Sequence, residues 1–472
     1  MKSVRFATLI LSFASLCAHA LGTHATWQGT FLSGGERHRM LLQADESTEG
    51  HWTVQSLAVD FLTNPIHLDV ASFQAGHVVL STNAGKGAFD AHLSQDDATL
   101  DGTWTWEKQV VALQLQRVPN EAAWHTPLAY QYHYEDITYD RPFLEEPKIP
   151  FAPRLAVDYM EQGTMAWTGE RGCIACHTNG TYMVVRPLMT PELGAPQQAM
   201  RAFWLSELKS DLAEDPKLHN GSFDGTQAVY LAAGLAIWDA HVLHHLSPET
   251  AQALELMFQF QRPAGDCMIE DDNNPPLESS PYQVATVAAR AVANAPGWLA
   301  QQRGTALGAH VELLKHYLRT PQKMQGDYDR TDLLWAASEY PGLLDARQKQ
   351  DLINMIFAHQ QFDGGWSMRS FASPEQWGKG NRAAKLRSEL DFGYPQSDGH
   401  MTGLAIIALR KAGVPSRDPR IQRGILWLLD NQRASGRWWT RSLNRDGWQF
   451  ISYSGTAYPL LALALCNALP KE

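Results

Sequence analysis

Cysteine is scarce in this chain, with five in 472 residues. So few thiols argue against a disulfide-stapled scaffold and leave the fold to a hydrophobic core. Long apolar runs are missing as well. The most apolar stretch, Phe6 to Leu16, is too short to cross a bilayer. Positive charge is not in excess either: the formal net charge of −11 argues against nucleic acid and against an electrostatic grip on anionic lipid. With 44% hydrophobic and 19% charged residues the chain should fold, and its length allows two or three domains. Tryptophan is what the chain has in plenty. Sixteen of them suggest lined apolar cavities or repeated helix packing.

Residues 1–20 read as a secretory signal peptide: Lys2 and Arg5 form a basic start, an apolar run follows, and Ala18-His19-Ala20 offers a small-x-small cleavage site. The expected location is periplasmic or secreted, with no integral membrane segment in the mature chain. Four cysteines would then remain, Cys173, Cys176, Cys267 and Cys466.

Over residues 25–118 the apolar period is near two. Thr53 to Val59, Ile66 to Val70, Ala88 to Leu93 and Val111 to Gln116 all alternate, with turn signals such as Ser33-Gly34-Gly35 between them. About eight short strands are expected, in an antiparallel meander closed as a small barrel or folded as a sandwich. His24, His38 and His51 read as strand-face residues, and the module as an accessory one. Residues 119–153, rich in proline and tyrosine, read as a linker.

Beyond residue 154 the period becomes helical, and a repeat emerges when segments are aligned on one glutamine. Gln432 is followed by Gly436 and Trp438, and Gln360 by Gly364 and Trp366, at the same offsets. Gln322 is followed by Gly326 and Tyr328, while after Gln261 and Gly265 the aromatic position holds Cys267. The expected unit is a helix ending at the glutamine, a glycine turn, and an aromatic stacked back on the helix. The amide would serve backbone groups left free at helix ends. Outer helices are expected near 155–167, 194–212, 246–261, 303–319, 345–361 and 417–432, and inner ones near 176–190, 222–241, 279–295, 330–340, 397–413 and 453–468. Six such pairs make residues 154–472 an (α/α)6 toroid in a mainly α protein.

These glutamine–tryptophan repeats resemble those of the squalene–hopene cyclase and protein prenyltransferase superfamily, most closely from Arg423 to Trp438. The resemblance covers about residues 155–469 and implies the toroid fold. It also implies chemistry that can be looked for. Cyclases of that superfamily protonate an alkene from an Asp-x-Asp-Asp motif, which is absent; the nearest run, Glu270-Asp271-Asp272, reads as a solvated acidic loop. A prenyltransferase-like zinc site would need Asp266, Cys267 and His400, three generic ligands far apart in sequence. In a toroid the inner helices open onto one mouth, so Asp224, Asp398 and His400, in the first turns of two of them, are candidate catalytic residues. Ordinary helix capping is the competing explanation.

Cys173-Ile174-Ala175-Cys176-His177 has the Cys-x-x-Cys-His spacing used to attach a c-type haem. Two thiols one turn apart can each form a thioether to a vinyl group, and His177 would be the proximal iron ligand, with His400 as candidate second ligand. Disulfide bonding among the four cysteines is the alternative. Residues Ser367 to Gln396 separate an outer helix from its inner partner and read as a lid or an insertion. The expected function is redox chemistry or electron transfer by haem c at the mouth of an apolar cavity, with a redox partner protein or a small lipophilic substrate. The alternatives are a terpenoid-cyclase or isomerase-like enzyme acting on a polyprenyl or other lipophilic substrate, and a non-catalytic lipid- or glycan-binding module.

Overall fold

The computed structural model describes residues 24–33, 36–47, 50–58, 66–74, 76–82, 87–106, 109–119, 147–213, 222–267, 274–319, 324–389, 392–444 and 451–469. The leader 1–20, most of the linker 119–153, Glu270-Asp271-Asp272 and Gln322 lie outside them. The chain divides into two compact units, Met1–Thr126 and Pro127–Glu472.

The first unit is a closed eight-stranded barrel: β1 (His24–Ser33), β2 (Glu36–Glu46), β3 (Trp52–Ala58), β4 (Ile66–Gln74), β5 (His77–Thr82), β6 (Gly87–Leu93), β7 (Thr99–Trp106) and β8 (Gln109–Val118). Every strand pairs antiparallel with the next, and β8 returns to β1 through Val118↔Thr26 and Gln116↔Gln28. Closure removes both sheet edges, so no unpaired backbone row is left to recruit another strand. The period-two pattern decides what points inward: Trp27, Leu42, Val54, Leu80, Phe89, Leu100 and Leu115 are buried together. Of the three histidines, His24 pairs with Asp45 and His51 is exposed, while the side chain of His38 lies outside the described residues.

The second unit is a double ring of helices. Its members are α1 (Pro153–Arg171), α2 (Thr181–Val185), α3 (Gln198–Ala213), α4 (Ser222–Trp238), α5 (Pro248–Gln259), α6 (Pro281–Asn294), α7 (Ala306–Arg319), α8 (Asp327–Glu339), α9 (Ala346–Ala358), α10 (Gly399–Lys411), α11 (Pro419–Asp430) and α12 (Ile451–Leu465). The even-numbered helices pack in sequence, each against the next, and α12 packs back on α2, closing the inner ring. The odd-numbered helices lie against its outside. The fold is thus the expected (α/α)6 arrangement. The inner helices can approach closely because their facing residues are small. A Cβ added at Gly403 of α10 would meet the backbone nitrogen of Pro459 in α12 at 2.6 Å.

The first inner element departs from the regular helix expected over 176–190. It runs as a π turn (Cys176–Gly180), α2, a 3-10 turn (Arg186–Met189) and a further short turn. Pro187 and Pro191 lack the amide that a continuous helix needs.

The repeat glutamines clip successive outer helices together. The Gln261 amide donates to the carbonyls of Gly265 and of His310 in α7, at 3.1 and 3.0 Å. Gln360 does the same to Gly364 and to Arg420 in α11, at 2.7 and 2.8 Å. Gln432 joins the last outer helix to the first. Its amide donates to Ala152 O and Gly436 O at 2.9 Å each, and its oxygen accepts from Ala152 N at 2.6 Å. The turn glycines Gly265, Gly364 and Gly436 all have positive φ, near 100°. At Gly436 a Cβ would also strike Leu155 O at 2.2 Å. The aromatics stack back as expected. Trp366 and Trp438 donate their indole N–H groups to Ile356 O and Leu428 O, at 2.8 and 2.7 Å, each capping a carbonyl at the end of the preceding outer helix.

Candidate functional site

Polar side chains from all six inner elements come close to one another inside the ring. They are Cys176 before α2, Tyr230 of α4, Gln283 of α6, Tyr328 and Asp332 of α8, His400 of α10, and Ser454 and Tyr458 of α12. The contacts are continuous around part of the axis. The Tyr328 hydroxyl lies 2.9 Å from His400 Nε2, and His400 Nδ1 lies 2.8 Å from Ser454 Oγ. Ser454 in turn donates to Ile451 O at 2.9 Å. That leaves Ser454 to accept from Nδ1–H, so Nε2 is the acceptor for the tyrosine O–H and the imidazole is neutral. Burial alone pushes the His400 pKa down to about 3. The His400 ring lies beside those of Tyr328 and Tyr458, with centroids at 5.8 and 5.0 Å.

Beside this chain lie two buried carboxyls. Burial pushes Asp332 up to about 7, against the Gln283 amide that donates to it at 3.2 Å, and neighbouring Asp329 raises it further. Asp329 is raised to about 6 by burial, although it accepts from Ser279 and Ser280 at 3.0 and 2.6 Å. Asp332 acts on Tyr230, Tyr328 and Tyr458, and all three phenols are held well above their ordinary pKa, with burial the largest cause. A carboxyl that keeps its proton near neutrality, among aromatic faces and away from water, can serve as a general acid.

Neither acid was among the candidates drawn from the sequence. The fourth inner helix was expected to begin at residue 330, whereas α8 begins at Asp327. Three more residues bring Tyr328 and Asp329 into its first turn, in register with Asp332. A signal was present in the repeat. Tyr328 stands where two other copies carry tryptophan, and it gives its hydroxyl to His400 on the axis instead of capping an outer helix.

The cysteine motif sits at the same mouth. Asn179, fully buried, shapes its loop by accepting from Ala175 N and donating to Cys173 O, both at 2.8 Å. All four described cysteines are free thiols. Burial raises the Cys176 thiol well above its usual range, and the neighbouring Glu278 carboxyl, to which it hydrogen-bonds, raises it further. Cys173 lies beside Trp167 and Arg171. His177 packs edge-on against Trp167 at 4.8 Å, and its Nδ1 is 2.6 Å from Thr178 Oγ1. Burial, and then Arg171, pushes the His177 pKa down to about 3, so this ring too is neutral.

The other candidates have structural duties. Asp398 caps α10, accepting from Met401 N at 2.8 Å and from Met368 N at 2.7 Å, so both carboxylate oxygens are tied to backbone amides. It is raised to about 6 by burial. The competing explanation, a helix cap, accounts for what it touches. His400 has both ring nitrogens engaged, and in this arrangement neither is open to an iron or zinc ion. Asp266 is paired with Arg262, and Cys267 is buried with its thiol pushed up to about 12. Among the described residues no three metal-binding side chains come together. The side chain of Asp224, in the first turn of α4, lies outside the described residues.

The segment Ser367 to Gln396 is packed across this mouth. Trp377 is buried and its ring lies 5.2 Å from that of Tyr328. Arg369 forms a two-pronged buried pair with Glu389, at 2.7 and 3.1 Å, and also donates to the carbonyls of Arg441 and Ser442 just ahead of α12. Arg382 bonds Asn444 at 2.9 Å. The excursion therefore covers Tyr328 through Trp377 and is tied by Arg369 and Arg382 to Arg441, Ser442 and Asn444.

No protein-family model matches the chain, and no curated protein matches it. Among solved structures it is similar to ent-copalyl diphosphate synthase from Streptomyces platensis (16% identity, TM-score 0.38), covering 61% of this chain and 50% of that one. It is similar as well to the type II terpene cyclase MstE from Scytonema without ligand (15%, TM-score 0.36, covering 62% of this chain and 88% of that one). A variant of that cyclase in complex with geranylgeranyl dihydroxybenzoate matches at 13% identity and TM-score 0.37, covering 67% and 97%. The chain spans half the length of the first of these.

Proposed function

We propose that the helical ring is an enzyme performing acid–base chemistry on a lipophilic substrate, of the polyprenyl kind, in the manner of a cyclase or isomerase. The observation that carries this reading is the buried carboxyl of Asp332, placed on the axis among Tyr230, Tyr328 and Tyr458. Near neutral pH it holds the proton it would deliver to a substrate double bond. The carbocation so formed would face phenol rings and the indole of Trp377, which attract positive charge. Loss of a proton elsewhere on the substrate restores neutrality, so no oxidant or reductant is required. The Tyr328–His400–Ser454 chain fixes the nearest phenol. Access requires the Trp377 cover to move aside. Incubation with linear isoprenoids and product analysis by gas chromatography–mass spectrometry tests the reading. Wild type should yield cyclised or isomerised product, and Asp332→Asn should lose it by at least a hundredfold. Equal product from both proteins would overturn the assignment of the acid.

A second reading keeps the haem, and two features favour it: Cys173 and Cys176 are both free, and His177 is held in the neutral form that binds iron. In this reading Cys173 and Cys176 would hold the haem through thioethers and His177 would bind its iron. The haem, once bound, would supply one-electron chemistry. The chain would be exported to the periplasm and would pass electrons to a partner protein. Thr178 would hold the ring orientation of His177 through Nδ1. Expression with periplasmic haem-attachment machinery decides it. Wild type should gain a visible haem spectrum and the mass of one haem, and Cys176→Ala should lose both. A colourless protein of unmodified mass would remove this reading and leave the first untouched.

A further inference from the structure

Away from the axis, the helical unit carries an aromatic cleft of about 380 Å3 on its rim. Its lining includes Phe362, Tyr394, Trp427 and Trp439, with Gln361, Gln396 and Asn431 between them. We propose that this cleft binds a pyranose oligosaccharide.

Two of the rings have no packing role. Phe362 is 102% exposed and Tyr394 93% exposed, and both border the same cleft. A single exposed aromatic is ordinary, but two flanking one concavity mark a binding surface. The fold does not ask for Phe362. It occupies the second position of the turn after a repeat glutamine, where the other copies carry Pro263, Met324 and Ala434. Two of those residues are small, and no other copy places an aromatic ring there.

The walls beneath these rings are rigid. Trp427 is anchored by its indole N–H to Asp363 at 2.9 Å, and Asp363 also accepts from Gly365 N and from the Ser397 hydroxyl at 3.0 and 2.7 Å. Gln361 is fixed by its amide to Pro395 O at 2.7 Å, and Asn431 by its amide to Trp427 O at 2.7 Å. Asp363, Gln361 and Asn431 are thus spent on positioning, and what is offered to a ligand is the rings of Phe362 and Tyr394 bordered by the Gln396 carboxamide and by Lys148 and Arg433. Flat rings suit the C–H face of a pyranose, while carboxamides donate to and accept from its hydroxyls. Strand addition would need an open strand edge and a docked helix a long apolar groove, which leaves a proline-rich peptide as the competing occupant that the test separates. Lys148 on the rim would add a contact to the carboxylate of a uronic acid.

The test is native affinity electrophoresis of the full chain in gels containing soluble β-glucan, glycol chitin, soluble starch or polygalacturonate. Isothermal titration with the matching hexasaccharide would follow. At least one polysaccharide should retard the wild type. Phe362→Ala with Tyr394→Ala should weaken the titrated affinity at least tenfold at an unchanged melting temperature, since both side chains are exposed. Leu426→Ala, an exposed apolar residue outside the cleft lining, should leave affinity unaltered. Retardation by polygalacturonate alone would identify an acidic sugar, and retardation by the others a neutral one. No retardation by any of the four, undiminished affinity in the double variant, or capture of a proline-rich peptide in place of sugar would overturn the proposal.

Discussion

Asp332 is a carboxyl that the folded chain keeps protonated, and that has a consequence independent of any substrate. Its pKa is about 7 in the ring and near the ordinary 3.8 once unfolded. Between those values the folded state holds a proton that the unfolded state releases, so stability falls as pH rises through that window and levels off above it. Asp329, raised to about 6, acts in the same direction. Asp332→Asn removes one of these terms. Urea unfolding at steps from pH 4 to 8 should show wild type losing on the order of 3 kcal/mol relative to the variant. A flat difference across that range would mean that Asp332 is charged in the folded protein. At this scale the sequence was only partly readable. Cys173, Cys176 and His177 announce themselves by spacing, whereas Asp329 and Asp332 look like any acids in a charged first turn. Asp398 and His400 were singled out for their position, and their partners turned out to be backbone amides and two hydroxyls.

Among the elements, the cover from Ser367 to Gln396 is the one whose stability is set by ion pairing. Burial pushes the Glu389 carboxyl up, but Arg369 and Lys385 outweigh it and hold the pKa below the usual value. Arg369→Met leaves Glu389 buried with only Lys385 and Arg441 for company. The expected cost is about 2–3 kcal/mol, at the low end for a broken buried pair because those two cations remain. Most of it should appear as local opening. Limited proteolysis should cut the variant within the cover at protease levels that spare wild type, with the ring otherwise intact. Equal cleavage of the two proteins would show that Trp377, Phe371 and Leu386, all buried, hold the cover down by themselves. The length of the excursion was evident from the sequence, but its packing was not, because its anchors Arg441, Ser442 and Asn444 lie more than fifty residues downstream.

For the whole helical unit the governing fact is closure. Gln432 makes three side-chain hydrogen bonds, and two of them, to the amide and the carbonyl of Ala152, cross the seam between the last outer helix and the first. Gln360 and Gln261 make comparable bonds within the ring but are less deeply placed. Gln432→Ala strands these groups and should cost about 3 kcal/mol, lowering the melting temperature by several degrees. Gln360→Ala should cost roughly half as much, because water can reach its partners. A seam variant as stable as wild type would mean that helix packing alone closes the ring.

What the sequence by itself determined is the part of the molecule written in short-range pattern. It set the eight alternating strands, the six helix pairs, the glutamine–glycine–tryptophan turns that join them, and the Cys-x-x-Cys-His loop. Those features follow from apolar periodicity and turn chemistry, which act between residues a few positions apart. The tertiary structure alone decided which side chains meet on the axis. Tyr328 and His400 are 72 residues apart, and His400 and Ser454 are 54 apart. Neither pairing has a local signature. Both come from closing a ring, which places the first turns of all six inner elements around one line and withdraws Asp332 from the water that would otherwise keep it charged.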